Sequence, residues 1–145
     1  MIMDIKEVQE ITVELKLRAP NDYLDTLRNT PEKIKKYANG VGSKTSIAYH
    51  ITPDTIWGMN VNPSSHIHDW MYAKPDIFAT RGEALEHKQV TEDWFKTNLY
   101  KQIESGSWWL RTPRKLRVMW YLWILNGKNG MDAFFDNKTI LNEGE

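Results

Sequence analysis

Five consecutive residues, His68-Asp69-Trp70-Met71-Tyr72, carry the side chains best suited to chemistry. Histidine is the side chain whose ordinary pKa lies nearest neutrality, so it can take a proton from water and return it. On a helix, His68 and Tyr72 are four apart and share a face, whereas Asp69 points about 100° away. One short helix can therefore aim an imidazole at a water and a carboxylate at a neighbouring loop. Upstream stands Ala38-Asn39-Gly40-Val41-Gly42. A Gly-x-Gly segment can turn its carbonyls inward, and hard cations such as Ca²⁺ want carbonyl and carboxylate oxygens. A base beside a metal ligand is a hydrolase arrangement. Taken singly, each residue has a plainer reading: Gly40 and Gly42 as a helix C-cap and turn, His68 as a buried core histidine, Tyr72 as a core tyrosine with one hydrogen bond. The alternating His66 and His68, with Asp69 and with His50 and His87 elsewhere, raise a transition-metal reading. Alternation suits a strand, whereas the local caps argue for a helix that would splay His66 from His68.

The elements that must position these residues are mostly helical. Pro63-Ser64-Ser65 caps a helix that runs to about Ala73 and ends at Lys74-Pro75. A long helix follows over residues 80–104, with Leu85, Lys88, Glu92, Phe95, Leu99 and Ile103 on one stripe. Ser105-Gly106-Ser107 breaks it, and Thr112-Pro113 starts another helix that reaches Asn126. Before the motif, Asn21 or Asp22 caps a helix through about Leu27. Thr30-Pro31 opens the next one, which stops at Asn39-Gly40. Residues 40–62 are rich in Gly, Ser, Thr, Pro and Asn and are expected to be mostly loop, except for a candidate strand over residues 46–51. That strand would partner residues 11–17, where Ile11, Val13, Leu15 and Leu17 alternate in the manner of a half-buried strand. The expected fold class is mainly α, one domain over residues 1–145. It has an N-terminal strand region within residues 1–19 and a loose polar tail over residues 136–145.

The chain resembles the phospholipase A2 superfamily, and most closely its cysteine-poor phage and bacterial relatives. The matching segments are Tyr37-Ala38-Asn39-Gly40-Val41-Gly42, then Pro53-Asp54-Thr55-Ile56-Trp57-Gly58, then His66-Ile67-His68-Asp69-Trp70-Met71-Tyr72. A weaker likeness continues through Glu92-Asp93-Trp94-Phe95 and Asn98-Leu99, so that it spans roughly residues 15–130. The resemblance implies a phospholipase A2-like helical core and a calcium-dependent phospholipid hydrolase. In it His68 is the general base, Asp69 and the carbonyls of Ala38, Gly40 and Gly42 hold Ca²⁺, and a carboxylate on the long helix orients His68 with support from Tyr72. Family members usually place an Asp there. Aligning Phe95 and Asn98 puts Glu92 at the position, in agreement with the apolar stripe, while Asp93 has the expected residue type but sits off it. Val41 stands where phage-type loops usually carry Cys, and the segment between Gly42 and His68 is longer than in secreted members. The alternative is a non-catalytic, phage-type structural or interaction protein on the same scaffold.

Composition narrows the partners. The 145 residues carry no net charge, so no global field recruits nucleic acid. There are no cysteines, which excludes disulfides, thiolate metal sites and a Cys nucleophile. The longest apolar run, residues 118–125, is too short to span a bilayer, and Asp4, Lys6 and Glu7 break any signal-peptide pattern at Met1. The expected location is cytoplasmic or phage-associated, with a phospholipid or membrane surface as a peripheral partner. Trp108, Trp109, Trp120 and Trp123 stand among Arg111, Arg114, Lys115 and Arg117, in the manner of an interfacial helix. Yet Leu116, Trp120, Trp123 and Ile124 fall at i, i+4, i+7 and i+8, an ordinary core stripe, which predicts that this face packs inward.

Overall fold

The computed structural model describes residues 3–38 and 55–142. Its architecture is mainly helical, with two small sheets. The chain enters through α1 (Ile5–Glu14), where the expected N-terminal strand proves to be a helix. The Asp4 side chain caps it by accepting the Lys6 N–H at 3.2 Å. The alternation over residues 11–17 is real but short. Viewed from the cap onward, the inward positions are Ile5, Val8, Thr12 and Leu15, spaced as a helical stripe, and Val13 is exposed. Just beyond the end of α1, Lys16 takes a left-handed φ of 52°. The chain is then pinned by Asn98, whose amide brackets the Arg18 backbone with bonds of 2.6 and 2.8 Å. Helix α2 (Asn21–Asn29) has Pro20 at its cap position, so neither Asn21 nor Asp22 caps it. Helix α3 (Glu32–Ala38) follows.

Strands β1 (Thr55–Ile56) and β2 (Met59–Asn60) form a tight antiparallel hairpin. Its two central residues, Trp57 and Gly58, both take positive φ, as two-residue hairpin turns require. This hairpin falls within the stretch expected to be loop, while the candidate strand over residues 46–51 lies outside the described residues. Helix α4 (Asn62–Ala73) carries the His68 motif. The expected Ser cap is absent: the Ser64 hydroxyl is turned instead to Gln102 Oε1, 2.5 Å away. From Asn62 to Ala73 every residue of α4 is buried except Asp69. A helix buried nearly all round must lie between two packed layers. On one side Ile67, Trp70 and Met71 meet Val8, Tyr23, Leu27 and Ile34 of α1 to α3. On the other, Tyr72 joins Phe95, Leu99, Val118, Leu125 and Phe134.

Those partners come from the second half of the chain. After β3 (Ile77–Thr80), Thr80 caps α5 (Arg81–Ser105) through the Glu83 N–H. Among the described helices, the α4–α5 pairing is the most extensive. A single 3-10 turn over Trp108–Leu110 leads into α6 (Arg111–Leu125), and α7 (Lys128–Phe135) is a helix that no sequence signal marked. Its Gly130 sits against α6 so closely that a Cβ there would lie 1.9 Å from the Leu125 carbonyl oxygen. The face of α6 expected to pack inward points outward. Leu116 is 67% exposed and Trp123 74%, whereas Arg114, Val118 and Leu125 are buried. A helix with large apolar residues on two faces offers two stripes, and packing chose the one that includes Arg114.

As far as Asn142 the tail is not loose. Strand β4 (Thr139–Asn142) pairs in parallel with β3, with Phe78 opposite Ile140. Just before it, Lys138 buries its side chain completely. Its Nζ donates to the carbonyls of Met71 at 2.8 Å, Tyr72 at 3.1 Å and Lys74, and lies 3.3 Å from Asp76. It thus satisfies carbonyls that the end of α4 leaves without a helical partner, and places a cation at the negative end of that helix. Lys138→Met strands those carbonyls in a dry site and should cost about 1–3 kcal/mol in urea unfolding. Unchanged stability would mean that the tail does not hold α4.

Candidate active site

Helices α4 and α5 bring one buried polar cluster together. His68 on α4 is 2% exposed, and Glu92 on α5 likewise 2%. The imidazole is held edge and face. Its faces lie against Tyr72, centroid to centroid 4.1 Å, and Phe95, 4.5 Å. Its Nε2 is 3.4 Å from Glu92 Oε1, and its Nδ1 is 3.7 Å from Asp69. Tyr72, one turn along α4, donates its hydroxyl to the same Glu92 Oε1. The four-residue spacing sets both side chains on one face of α4, and both reach the same Glu92 oxygen.

Glu92, not Asp93, faces the imidazole. Asp93 is exposed and accepts a bond from Gln89 Nε2 at 3.0 Å on the outer surface of α5. The stripe of Lys88, Glu92, Phe95, Leu99 and Ile103 is the buried face of the helix. Asp69 is partly exposed, at 18% of its side chain, and so borders the cluster from the solvent side. Ala38 closes α3, which packs on α4. Gly40 and Gly42, the other expected carbonyl donors, lie outside the described residues. Asp69 is the one expected calcium ligand that would use its side chain, and a partly exposed carboxylate suits one position of a hard-cation site. Among the described residues no group of three or more His, Cys, Asp and Glu side chains converges as a metal cluster. His87 is apart from His68, 3.9 Å from Asp76 and against the Phe78 ring, and His50 is outside the described residues.

Lys88 belongs to the cluster although its type pointed elsewhere. Its Nζ donates to Glu92 Oε2 at 3.2 Å and to the Leu125 carbonyl at 2.9 Å, and it is 3% exposed. The signal was present in the sequence: opposite charges four apart on an otherwise apolar stripe. Tyr23 also borders the site. Burial, then the charge of Asp69, raises its pKa well above that of a free phenol, and its hydroxyl has no hydrogen-bond partner among the described residues.

These contacts set the protonation states. Burial works against a charged His68, but Asp69 and Glu92 on its two edges outweigh it and hold its pKa above the ordinary imidazole value. Burial pushes the Glu92 carboxyl up, yet His68, Lys88 and the Tyr72 hydroxyl bring it below its ordinary value. Burial and Glu92 together keep Tyr72 a neutral donor. With an ionised Glu92 facing Nε2, the neutral ring places its proton there. Nδ1, which has no hydrogen-bond partner among the described residues, keeps its lone pair on the Asp69 side. The cluster can thus accept a proton at Nδ1 and stabilise the imidazolium that results.

His68 has a raised pKa, so its share of stability is complete below the unfolded value of about 6.5 and is lost as pH rises through the folded one. Glu92 has a lowered pKa, so its share is present above about 4.3 and is lost as pH falls through its folded value. The pair therefore contributes most between these limits. Glu92→Gln should lower the His68 titration midpoint read by imidazole NMR, and its stability deficit should shrink as pH rises above about 6.5. A midpoint unmoved by that substitution would separate the two groups.

Compared with known proteins, the chain matches no family model, no curated protein and no solved structure.

Proposed function

We propose that the chain is a hydrolase of phospholipid carboxylic esters, of phospholipase A2 type and dependent on Ca²⁺. The observation that carries this reading is the division of labour around one ring. His68 turns Nε2 to the buried, ionised Glu92 and Nδ1 to the partly exposed Asp69. A base needs an orienting group on one nitrogen and the reacting proton at the other; Nδ1 is itself buried, and the partly exposed Asp69 stands between it and solvent, so water must reach it past that carboxylate. His68 takes a proton from water at Nδ1 and later returns it to the leaving group. Glu92 fixes the ring and offsets its charge while protonated, Tyr72 holds the shared Glu92 oxygen, and Lys88 holds the other. Asp69, with the carbonyls of Ala38, Gly40 and Gly42, would hold the cation. Ca²⁺, when bound, would polarise the ester carbonyl and stabilise the oxyanion.

Because the base must be neutral to act, activity should rise with pH through the raised pKa of His68. The near-complete enclosure of His68 between Tyr72 and Phe95 favours a second reading, a non-catalytic structural or interaction protein on the same scaffold. Fatty-acid release from phospholipid vesicles decides between them. The wild type should release fatty acid with Ca²⁺ and not with a chelator. His68→Ala should lose about 10²–10⁴-fold, the scale of a general base. No release from either protein would favour the scaffold, and equal release from both would remove His68 from the mechanism.

A further inference from the structure

The outward face of α6 is unusual for a chain in water. Leu116, Met119, Trp120 and Trp123 recur at i, i+3, i+4 and i+7, the spacing of a buried stripe, yet they are 67, 48, 48 and 74% exposed. Trp108 and Trp109, in the 3-10 turn at the start of the same helix, are 77 and 65% exposed. Trp57 joins them from the β1–β2 turn. Its backbone takes a left-handed φ of 46°, its carbonyl accepts a 3.0 Å bond from buried Arg114, and its ring lines one groove with Pro113, Leu116, Arg117 and Trp120. Five of the seven tryptophans are thus exposed on or beside this one helix. Isolated surface apolar residues need no explanation, but a contiguous run of this size marks a contact surface.

The charge around it points to the partner. From residue 105 to residue 131 the chain has no acid and five cations, Arg111, Arg114, Lys115, Arg117 and Lys128, although the whole chain is neutral. Arg114 is spent on the hairpin, and Lys115 spans to Glu104 at 3.0 Å. Arg111, Arg117 and Lys128 remain exposed, with the Arg117 guanidinium 5.4 Å from the Trp120 ring centre. A protein interface also favours Trp, Met and Arg but closes on a mixed polar rim, whereas residues 105–131 offer cations and no acid, and three exposed cations are few for the phosphate contacts that nucleic-acid binding needs. Indole rings interleaved with arginine match the boundary between headgroups and acyl chains, where a ring can be half wet while the cation meets lipid phosphate. No described helix is long and apolar enough to cross a membrane, so α6 would lie on the surface rather than span it.

We propose that the outward face of α6, with the Trp57 turn, docks on an anionic phospholipid bilayer. The inference goes beyond hydrolysis and rests on the exposure and charge of α6, not on the His68 cluster. Its test therefore reads binding without turnover: the full chain in chelator, mixed with vesicles of phosphatidylcholine alone or of phosphatidylcholine and phosphatidylglycerol in equal parts. The expected result is sedimentation with the phosphatidylglycerol vesicles at least ten times tighter than with phosphatidylcholine alone, a blue shift of tryptophan emission, and weakening by salt. Trp120→Ala/Trp123→Ala should lose at least tenfold in affinity, and Arg111→Gln/Arg117→Gln should lose the preference for phosphatidylglycerol. Leu116→Ser/Met119→Ser serves as a second apolar variant if the first fails to fold, circular dichroism reporting the fold. No binding by the wild type, or binding that ignores these variants, would overturn the proposal. So would a concentration-dependent dimer that the tryptophan variant abolishes, which would assign the face to a second copy of the chain.

Discussion

A carboxylate sealed inside a protein is tolerated only when its charge is answered on every side, and Glu92 is answered by three groups. Its Oε1 serves Tyr72 and His68 from α4, and its Oε2 serves Lys88 from its own helix. The Lys88 ammonium continues to the Leu125 carbonyl at the end of α6. Three helices are therefore tied at one point by groups that would each be costly to bury alone. The rings of Tyr72 and Phe95 wall the cluster off from water, which strengthens each charge interaction within it and raises the cost of breaking any one. The same tie gives the imidazole one orientation, and that orientation is what makes its two nitrogens chemically different.

The molecule spends its polar and apolar groups against the usual pattern. Lys88, Glu92, His68 and Arg114 are inside, while Trp57, Leu116, Trp120 and Trp123 are outside. On α6 the exchange is direct: Arg114 turns in to hold the hairpin carbonyl, and the stripe of large apolar residues is carried to the surface. Exposed hydrocarbon gains nothing for the isolated chain in water. The inner cluster and the outer face are separate pieces of physics, one made by enclosing charge and the other by leaving apolar surface uncovered.

Several parts of this arrangement were legible in the sequence. The motif helix, the long α5 and the place of Glu92 on its buried stripe follow from spacing alone, because a 3.6-residue period maps position onto face. The mainly helical class follows from the same periodicity. Other parts misled for identifiable reasons. Seven residues of alternation near the N-terminus fit a strand, but Asp4 sets a helical register several residues earlier, and Asn98 then holds the chain beyond its end. The tail reads as polar and loose, yet a single lysine finds the open carbonyls of α4 some 60 residues upstream, at sequence separations of 64 to 67.

By itself the sequence determined which side chains share a helix face: His68 with Tyr72, Lys88 with Glu92, Leu116 with Trp120 and Trp123. That much is local geometry, and the backbone period settles it. Only the tertiary structure decided which of those faces met another. It set His68 and Tyr72 against Glu92, buried Lys88 as the carboxylate's counterion, left Asp93 outside, and turned the tryptophan face of α6 to solvent. Periodicity states which residues go together but not toward what, because the choice between two apolar stripes depends on partners far away in the chain.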